Sequence, residues 1–359
     1  MNKLVDFGYK KASLEITNIC NFKCLYCPYP GLNAEPRQMK KEDVFRAIDD
    51  LAEVSVGKLE YLELNVLGEP LIHKDLIEII DYSRRKKIKI KLVTNGSLFT
   101  RENIDAILKA QPYIIKISLE LLNDKYFESL RGSVIAFDKY LQNIIDLIDA
   151  RMKYGNSIPT SIQMDVFYIP ELYKKSVLGM AAGKDITKYI YKNRKKLLND
   201  VSDFLDRIKK RYPEIAYSKE GLISNFNKIK KLKFSNDVPL FKISENIFIT
   251  LKEYFHWVNV DKKIPAYSGR NGCMVDKIGI LSDGKVVLCC LDYDGKTQIG
   301  NIFEHSLGDI LSGSQKCIDR LRSGKFDFDR CAKCKGYFSR RHKFFKQCFH
   351  NLGINRESL

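Results

Sequence analysis

Long apolar runs, abundant proline or glycine and a dense cysteine framework are all missing from this chain of 359 residues. No segment approaches the roughly 20 apolar residues that a membrane helix needs. The first residues, MNKLVDFGYKK, lack the apolar stretch of a signal peptide, so we expect a cytoplasmic protein with no membrane partner. Ten prolines and 21 glycines exclude a collagen-like or low-complexity chain, and 45% hydrophobic residues suffice for a packed core.

Acidic residues are also scarce relative to basic ones, with 44 Asp and Glu against 61 Lys and Arg, a formal charge of +17. Such an excess favours an anionic partner, which could be a nucleic acid, a phosphorylated metabolite or an acidic peptide. We find no recognisable RNA-binding motif, which disfavours nucleic acid. Much of the excess lies in residues 171–234, where 17 basic residues stand against 7 acidic ones.

The first 170 residues alternate between strand-like and helix-like periodicity, which predicts a parallel sheet wrapped by helices. Right-handed crossovers turn such a series into a barrel or a doubly wound sheet. The predicted strands cover residues 11–19, 59–66, 88–94, 113–120 and 160–168, and the predicted helices cover residues 42–54, 76–85, 102–110 and 137–151.

After residue 170 this rhythm breaks, and we divide the chain into four parts. Residues 1–170 form the α/β core, and residues 171–240 form a basic helical insertion that is either a solvated face or a lid for an anionic substrate. Residues 241–268 contain the last strand of the core sheet, a sixth strand expected at residues 246–254, and a bridge to the next part. Residues 269–359 form a small domain of hairpin-like strands, in which Asp283-Gly284 is a strong turn signal.

Three cysteines, Cys20, Cys24 and Cys27, follow the first predicted strand, at the end where parallel α/β sheets place their active sites. Three thiolates this close can hold three corners of a cubane iron–sulfur cluster and leave the fourth iron open for chemistry. A zinc site is the alternative, but zinc usually requires a fourth ligand, and the next histidine is His73.

The spacing Cys20-x3-Cys24-x2-Cys27, with an aromatic Tyr26 before the third cysteine, resembles the signature of the radical S-adenosylmethionine (radical SAM) superfamily. That resemblance implies a partial (β/α)6 TIM-like barrel and a 4Fe–4S cluster held by three cysteines and SAM. It also implies reductive cleavage of SAM to a 5′-deoxyadenosyl radical, which removes hydrogen from a substrate. The cluster would be reduced by a donor such as flavodoxin or ferredoxin.

Further motifs match the family in order along the chain. Gly68-Glu69-Pro70 resembles the GGEP turn, with Leu67 in place of its first glycine, and implies binding of the SAM ammonium group. Asn95 ends the third strand. Ser118 and Glu120 end the fourth, where the family contacts the SAM ribose. Arg131 is implied to bind the SAM carboxylate, for which a guanidinium is well suited.

The remaining cysteines lie in the last quarter of the chain, and four of them form two pairs suited to a closed metal site: Cys273, Cys289, Cys331 and Cys334. The pattern C-x10-G-x4-C resembles the opening of the SPASM/twitch extension of radical SAM enzymes. The closing half differs, because Arg340 stands where a further cysteine is expected, so we expect one auxiliary 4Fe–4S cluster. A zinc ribbon is the alternative, and Cys290 could replace Cys289 as a ligand. We expect Cys290, Cys317 and Cys348 otherwise to be buried as small hydrophobic residues.

Two classes of substrate are compatible with these features. The first is a polar or anionic small molecule, such as a sugar or cyclitol, oxidised with help from the auxiliary cluster. The second is a ribosomally made peptide that is crosslinked, given a thioether or epimerised. A third hypothesis, an iron–sulfur or RNA-binding scaffold without turnover, is opposed by the full set of SAM-binding motifs.

Overall fold

The computed structural model describes residues 9–32, 34–55, 57–132, 135–168, 189, 191, 193–215, 217–231, 238–253, 272–273, 275–289 and 291–335. The strands are Lys11–Leu14 (β1), Tyr61–Glu63 (β2), Ile90–Thr94 (β3), Ile114–Glu120 (β4), Ser161–Tyr168 (β5), Val238–Ser244 (β6), Ile247–Glu253 (β7), Lys277–Ile280 (β8), Lys285–Val287 (β9) and Gln298–Asn301 (β10). The α-helices are Lys41–Ser55 (α1), Leu76–Arg85 (α2), Arg101–Ala110 (α3), Asp124–Arg131 (α4), Phe137–Tyr154 (α5), Arg194–Lys209 (α6), Lys219–Lys231 (α7), Leu307–Arg322 (α8) and Asp329–Lys335 (α9).

All ten strands form one sheet in the order β10-β9-β8-β1-β2-β3-β4-β5-β7-β6. Strands β1 to β5 and β7 are parallel to their neighbours in this series, as expected for a partial (β/α)6 core. The expected sixth strand is confirmed as β7. The sequence did not predict β6, which pairs antiparallel with β7 and begins inside the segment assigned to the insertion.

The predicted hairpin of the C-terminal part is confirmed, since β8 pairs antiparallel with β9. Gly284 lies in its turn with φ +83°, a conformation that favours glycine. Strand β8 also pairs in parallel with β1, from Lys11 opposite Lys277 to Leu14 opposite Ile280. The auxiliary hairpin therefore continues the core sheet directly beside the strand that leads into the first cysteine loop.

The two faces of the sheet differ in their surroundings. On β1, Ala12 and Leu14 are fully buried in the apolar core, and Ala12 lines a small cavity together with Ile278 of β8, Leu51 of α1 and Leu307 of α8. That face is covered by helices. The alternate residues of each strand point to the opposite face, which we call the inner face, because side chains in a strand alternate.

Four helices, α1, α2, α3 and α5, form where the sequence predicts them because their apolar residues recur at helical spacing. Helices α8 and α9 of the C-terminal part were not predicted. In α1 the buried residues are Val44, Ala47, Ile48 and Leu51. Helix α4, at Asp124–Arg131, was not predicted: it is short and strongly polar, and it ends at Gly132 with φ +53°. Two helices of the expected basic insertion, α6 and α7, are described. In the described part of the chain, no helix is long and apolar enough to cross a membrane.

Candidate functional site: a sulfur-rich loop at the strand ends

The first cysteine loop runs from β1 toward α1 and is held in place by the end of α4. The Lys23 amide donates to the Arg131 carbonyl at 3.0 Å, and the Leu25 amide donates to the Leu130 carbonyl at 2.9 Å. A Cβ on Gly132 would lie 2.8 Å from the Lys23 carbonyl oxygen, so glycine is required for this close approach. The unpredicted helix therefore fixes the loop that carries Cys20, Cys24 and Cys27.

Two polar side chains donate hydrogen bonds to sulfur in this loop. Asn95 Nδ2 lies 3.9 Å from Cys20 Sγ, and Arg131 Nη1 lies 3.7 Å from Cys24 Sγ. Burial raises the pKa of Cys20 to about 12, and burial also raises the pKa of Cys24 and Cys27 above the usual thiol value. An amide and a guanidinium directed at buried sulfurs are the surroundings that stabilise negatively charged cluster ligands.

Glu69 anchors the turn after β2. Its carboxylate accepts hydrogen bonds from Thr94 Oγ1 at 2.6 Å, the Asn95 amide at 2.6 Å and the Leu71 amide at 3.0 Å. Its own amide donates to the Ile19 carbonyl at 2.9 Å, one residue before the first cysteine. Burial raises the pKa of Glu69 although these donors oppose it. Glu69 thus joins the ends of β1 and β3, with Pro70 buried beside it.

Arg131 and Glu120 form a buried ion pair at the end of β4. Arg131 Nη1 lies 3.2 Å from Glu120 Oε2, and each residue is only 2% exposed. The Tyr26 hydroxyl donates to Glu120 Oε1, and Arg131 Nη2 donates to the Ser118 carbonyl. Burial raises the pKa of Glu120 despite the neighbouring guanidinium, and Glu120 has φ +61°, an uncommon conformation for a non-glycine residue.

All eight residues expected to bind SAM therefore lie in the described part of the chain, around the same strand ends: Tyr26, Gly68, Glu69, Pro70, Asn95, Ser118, Glu120 and Arg131. The structure brings Tyr26, Ser118, Glu120 and Arg131 into one hydrogen-bonded group. Sequence reasoning gave Glu120 and Arg131 separate roles and missed that they pair with each other. Their contacts with SAM stay a prediction.

Sequence reasoning also missed a cluster of charged residues on the inner face next to this group. Asp165 of β5 is fully buried, and its Oδ2 lies 3.1 Å from Lys116 Nζ and 3.4 Å from Lys252 Nζ. Thr250 Oγ1 donates to the other carboxylate oxygen at 2.6 Å. The charges of Lys252 and Asp165 both influence the pKa of Glu120, so the cluster lies within electrostatic range of the expected SAM site.

A second inner-face cluster lies on β2, β3 and β8. Glu63 pairs with Lys91 at 3.1 Å and with Lys277. Although burial acts to raise the pKa of Glu63, the two ammonium groups hold it well below its usual range. In each cluster two lysines surround one carboxylate. The pattern that could have predicted both is lysine at alternate positions of otherwise apolar strands.

The four expected auxiliary ligands also lie in the described residues. Cys331 and Cys334 are three residues apart on α9, so they lie on one side of the helix. Burial, together with the neighbouring charges of Cys334 and Cys273, raises the pKa of Cys331 to about 12. The Leu291 amide donates to Cys289 Sγ at 3.4 Å.

Arg330 joins the two halves of this second site. Its Nε lies 3.3 Å from Asp292 Oδ1 and its Nη2 lies 2.5 Å from Asp294 Oδ1, and the guanidinium lies over the Tyr293 ring. Asp292 accepts a hydrogen bond from the Thr297 hydroxyl at 2.7 Å. Arg330 therefore fixes the loop after Cys289 against the start of α9.

Cys317 is half-buried on α8 and near enough to influence the pKa of Cys331. Cys290 and Cys348 lie outside the described residues, so the choice between Cys289 and Cys290 stays open. Across the ranges that the structure describes, no three His, Cys, Asp or Glu side chains are already arranged around one metal position. The donor chemistry nonetheless fits iron–sulfur clusters, because each site holds several buried or half-buried thiols and the first directs side-chain hydrogen-bond donors at them.

Comparison with known proteins gives matches to two family models. Residues 14–168 match the model of the radical SAM superfamily, and residues 273–335 match SPASM, an iron–sulfur cluster-binding domain. The first segment contains the cysteine loop and all eight expected SAM-binding residues, and the second contains all four expected auxiliary cysteines.

Two curated relatives illustrate the range of similar proteins. A probable GTP 3′,8-cyclase of Methanococcus vannielii is 26% identical over 228 residues, which are 54% of this chain and 75% of that protein. The mycofactocin maturase MftC of Mycolicibacterium smegmatis is 29% identical over 137 residues, which are 38% of this chain and 33% of the maturase. The chain thus matches only about a third of the maturase.

Two solved structures share the fold. Streptococcus suis SuiB bound to S-adenosylmethionine has a TM-score of 0.51 and 15% identity, with 98% of this chain and 76% of SuiB covered. Native anSMEcpe with bound AdoMet has a TM-score of 0.50 and 14% identity, with 95% and 97% covered.

Proposed function

The chain belongs to the radical SAM superfamily and carries a C-terminal SPASM domain, and from this premise we propose that it oxidises a polar or anionic small molecule by hydrogen abstraction. SAM and the 4Fe–4S cluster supply the 5′-deoxyadenosyl radical, and an auxiliary 4Fe–4S cluster assists the oxidation. A flavodoxin or ferredoxin is the proposed electron donor. The protein orients the reactants and excludes water.

The observation that carries this proposal is the joint arrangement of the sulfur loop and the Arg131–Glu120 pair. The loop presents Cys20, Cys24 and Cys27 beside a buried guanidinium and two carboxylates, those of Glu69 and Glu120. These groups match an amino acid with an ammonium and a carboxylate group attached to a ribose. We assign Glu69 to the ammonium group, Arg131 to the carboxylate and Glu120 to the ribose hydroxyls.

The two inner-face clusters favour a polar or anionic substrate. Each holds two lysines and one carboxylate, Lys116 and Lys252 around Asp165 in one case. Ammonium groups on the inner face, close to the expected SAM site, would attract a polar or anionic ligand. The similarity to a protein described as a probable GTP cyclase points the same way, since GTP is a polyanion.

The alternative function is maturation of a ribosomally made peptide. Relatives favour it, because MftC is described as a maturase and AlbA of Bacillus subtilis as a protein of subtilosin biosynthesis. The match to AlbA covers 38% of this chain and 30% of that protein. Basic helices α6 and α7 would offer a surface for an acidic peptide.

The test of radical SAM chemistry is anaerobic incubation of the reconstituted protein with SAM and dithionite. We expect slow formation of 5′-deoxyadenosine without substrate, and about eight irons per chain. Replacing Cys20, Cys24 and Cys27 with alanine should remove about half of that iron and abolish 5′-deoxyadenosine. Unchanged iron in this variant would refute the assignment.

The auxiliary site is tested by replacing Cys331 and Cys334 with alanine. This variant should also lose about half of the iron but retain part of the SAM cleavage. Cys317→Ala is the matched control and should keep all of its iron. If Cys317→Ala loses as much iron as the double variant, the ligand set is wrong.

The substrate class is tested by stimulation of 5′-deoxyadenosine formation. Nucleotides and sugar phosphates are compared with their uncharged sugars and with acidic peptides. Stimulation by the phosphorylated small molecules supports the proposal, and stimulation by peptides alone supports the alternative.

A further inference from the structure

Glu15 lies just beyond β1 on the inner face and joins two parts of the chain that are far apart in sequence. Its Oε1 accepts a hydrogen bond from the Leu67 amide at 3.2 Å. Its Oε2 accepts from the Ser282 amide at 3.2 Å and from the Ser282 hydroxyl at 2.9 Å. Leu67 directly precedes the Gly68-Glu69-Pro70 turn, and Ser282 belongs to the turn of the auxiliary hairpin between β8 and β9.

The carboxylate of Glu15 is confined to these partners. The residue is 4% exposed. Burial and the nearby charge of Asp283 raise its pKa, the three donors oppose this, and the net result is a pKa of about 7. The Glu15 amide also donates to the Ile280 carbonyl of β8 at 2.8 Å. A buried carboxylate with three donors holds those donors in a fixed arrangement, because moving any of them leaves buried polar atoms without a partner.

Apolar packing joins the same two parts of the chain. Val66 and Leu67 form a buried cluster with Leu281, Val287 and Tyr293 of the auxiliary domain. Cys27 of the first cysteine loop packs against this cluster together with Tyr29 and Leu32. Leu67, which replaces the first glycine of the family's turn, therefore supplies a side chain to the contact between the core and the auxiliary domain.

The turn cannot move independently of β1 either. A Cβ on Gly68 would lie 1.9 Å from the carbonyl oxygen of Thr17, so the turn is in direct contact with the segment that follows β1. A displacement of the auxiliary hairpin at Ser282 is thus transmitted through Glu15 to Leu67 and to the turn that holds Glu69.

We propose that Glu15 is a positioning residue that couples the auxiliary domain to the SAM-binding turn. Its carboxylate and the apolar cluster around Leu67 make SAM affinity depend on the position of the auxiliary hairpin, although Ser282 itself binds no part of SAM. This inference rests on the proposed function, because it requires the Gly68-Glu69-Pro70 turn to bind SAM.

The test compares Glu15→Gln and Ser282→Ala in the full chain with both clusters reconstituted. The glutamine amide nitrogen cannot accept the donors that Glu15 holds, so SAM affinity should fall about tenfold or more. Ser282→Ala should lower it severalfold. Ser312→Ala, an exposed serine on α8 of the same domain, is the matched control and should bind SAM as wild type does.

SAM affinity is measured by anaerobic equilibrium dialysis, with iron content and unfolding free energy measured on the same samples. In the double variant, Ser282→Ala should add little to Glu15→Gln, because both remove the same link. If Glu15→Gln does not fold, Ser282→Ala against Ser312→Ala decides alone. Equal SAM affinity in these two variants, at full iron content, overturns the inference. Failure of wild type to cleave SAM would instead refute the proposed function.

Discussion

Gly68 has no room for a side chain, which makes Gly68→Ala a sharp test of the site. The added Cβ would lie 1.9 Å from the Thr17 carbonyl oxygen, 2.7 Å from its carbon and 3.1 Å from Asn18 Cα. All three are backbone atoms, which cannot rotate away. The turn and the segment that follows β1 would therefore have to separate by about 1 Å, which is a typical case of overpacking.

The expected cost follows from what that separation disturbs. Overpacking costs about 1 to 3 kcal/mol. The bond from the Glu69 amide to the Ile19 carbonyl, at 2.9 Å, spans the same gap, and losing it adds about 1 kcal/mol. We expect Gly68→Ala to lower the free energy of unfolding by about 2 to 4 kcal/mol and to reduce SAM cleavage, because Glu69 is displaced.

Gly31→Ala is the matched control, since a Cβ at Gly31 meets no atom within 4 Å. Its unfolding free energy should stay within about 1 kcal/mol of wild type. The assays are urea unfolding followed by circular dichroism, and 5′-deoxyadenosine formation under anaerobic conditions. Equal stability and equal cleavage in the two alanine variants would refute the reasoning.

Three further predictions concern buried charges. Arg131→Met leaves Glu120 buried without its partner and should cost about 3 to 5 kcal/mol of unfolding free energy. Adding Glu120→Gln should restore part of this loss. A double-mutant cycle without any restoration would contradict the pairing. Arg330→Met should reduce the iron content by up to about half while SAM cleavage persists, whereas the exposed Arg320→Met should keep its iron. Equal iron contents in the two variants would show that Arg330 is not needed to hold the loop after Cys289 against α9. Burial raises the pKa of Glu15 from 4.5 to about 7, so the folded chain binds this proton more tightly than the unfolded chain does. The free energy of unfolding should therefore fall by about 3 kcal/mol as the pH rises from 4.5 to 7. Glu15→Gln should lack that part of the pH dependence in urea unfolding, and an identical profile would refute the shift.

Local signals in the sequence predicted local structure well. The Asp283-Gly284 pair predicted the hairpin of β8 and β9 because that turn type requires a positive φ, which glycine supplies. The apolar spacing of residues 42–54 predicted α1 because one side of it faces the core. Strand ends were less predictable: β1 ends at Leu14, although the strand pattern continues to residue 19.

Contacts between distant residues could not be predicted from these patterns. The pairing of β8 with β1 joins residues more than 260 positions apart, as does the bond between Ser282 and Glu15, with a separation of 267. The ion pairs of the lysines on β3 and β4 could not be predicted for the same reason. No role was predicted for Lys91 or Lys116, because their carboxylate partners lie on other strands.

The Arg131–Glu120 pair shows how the roles implied by the family resemblance relate to the contact found in the structure. The family resemblance assigns the guanidinium to the SAM carboxylate and Glu120 to the ribose, while in the chain alone the two side chains neutralise each other at 3.2 Å. Both arrangements satisfy the same requirement, that a buried charge always has a partner. The proposed assignment requires SAM to exchange these partners: the SAM carboxylate would join the guanidinium, and the ribose hydroxyls would meet the Glu120 carboxylate. A ligand that lacked the carboxylate would leave the Arg131–Glu120 pair as it is and gain nothing from the guanidinium, so the proposed exchange would favour the complete SAM molecule.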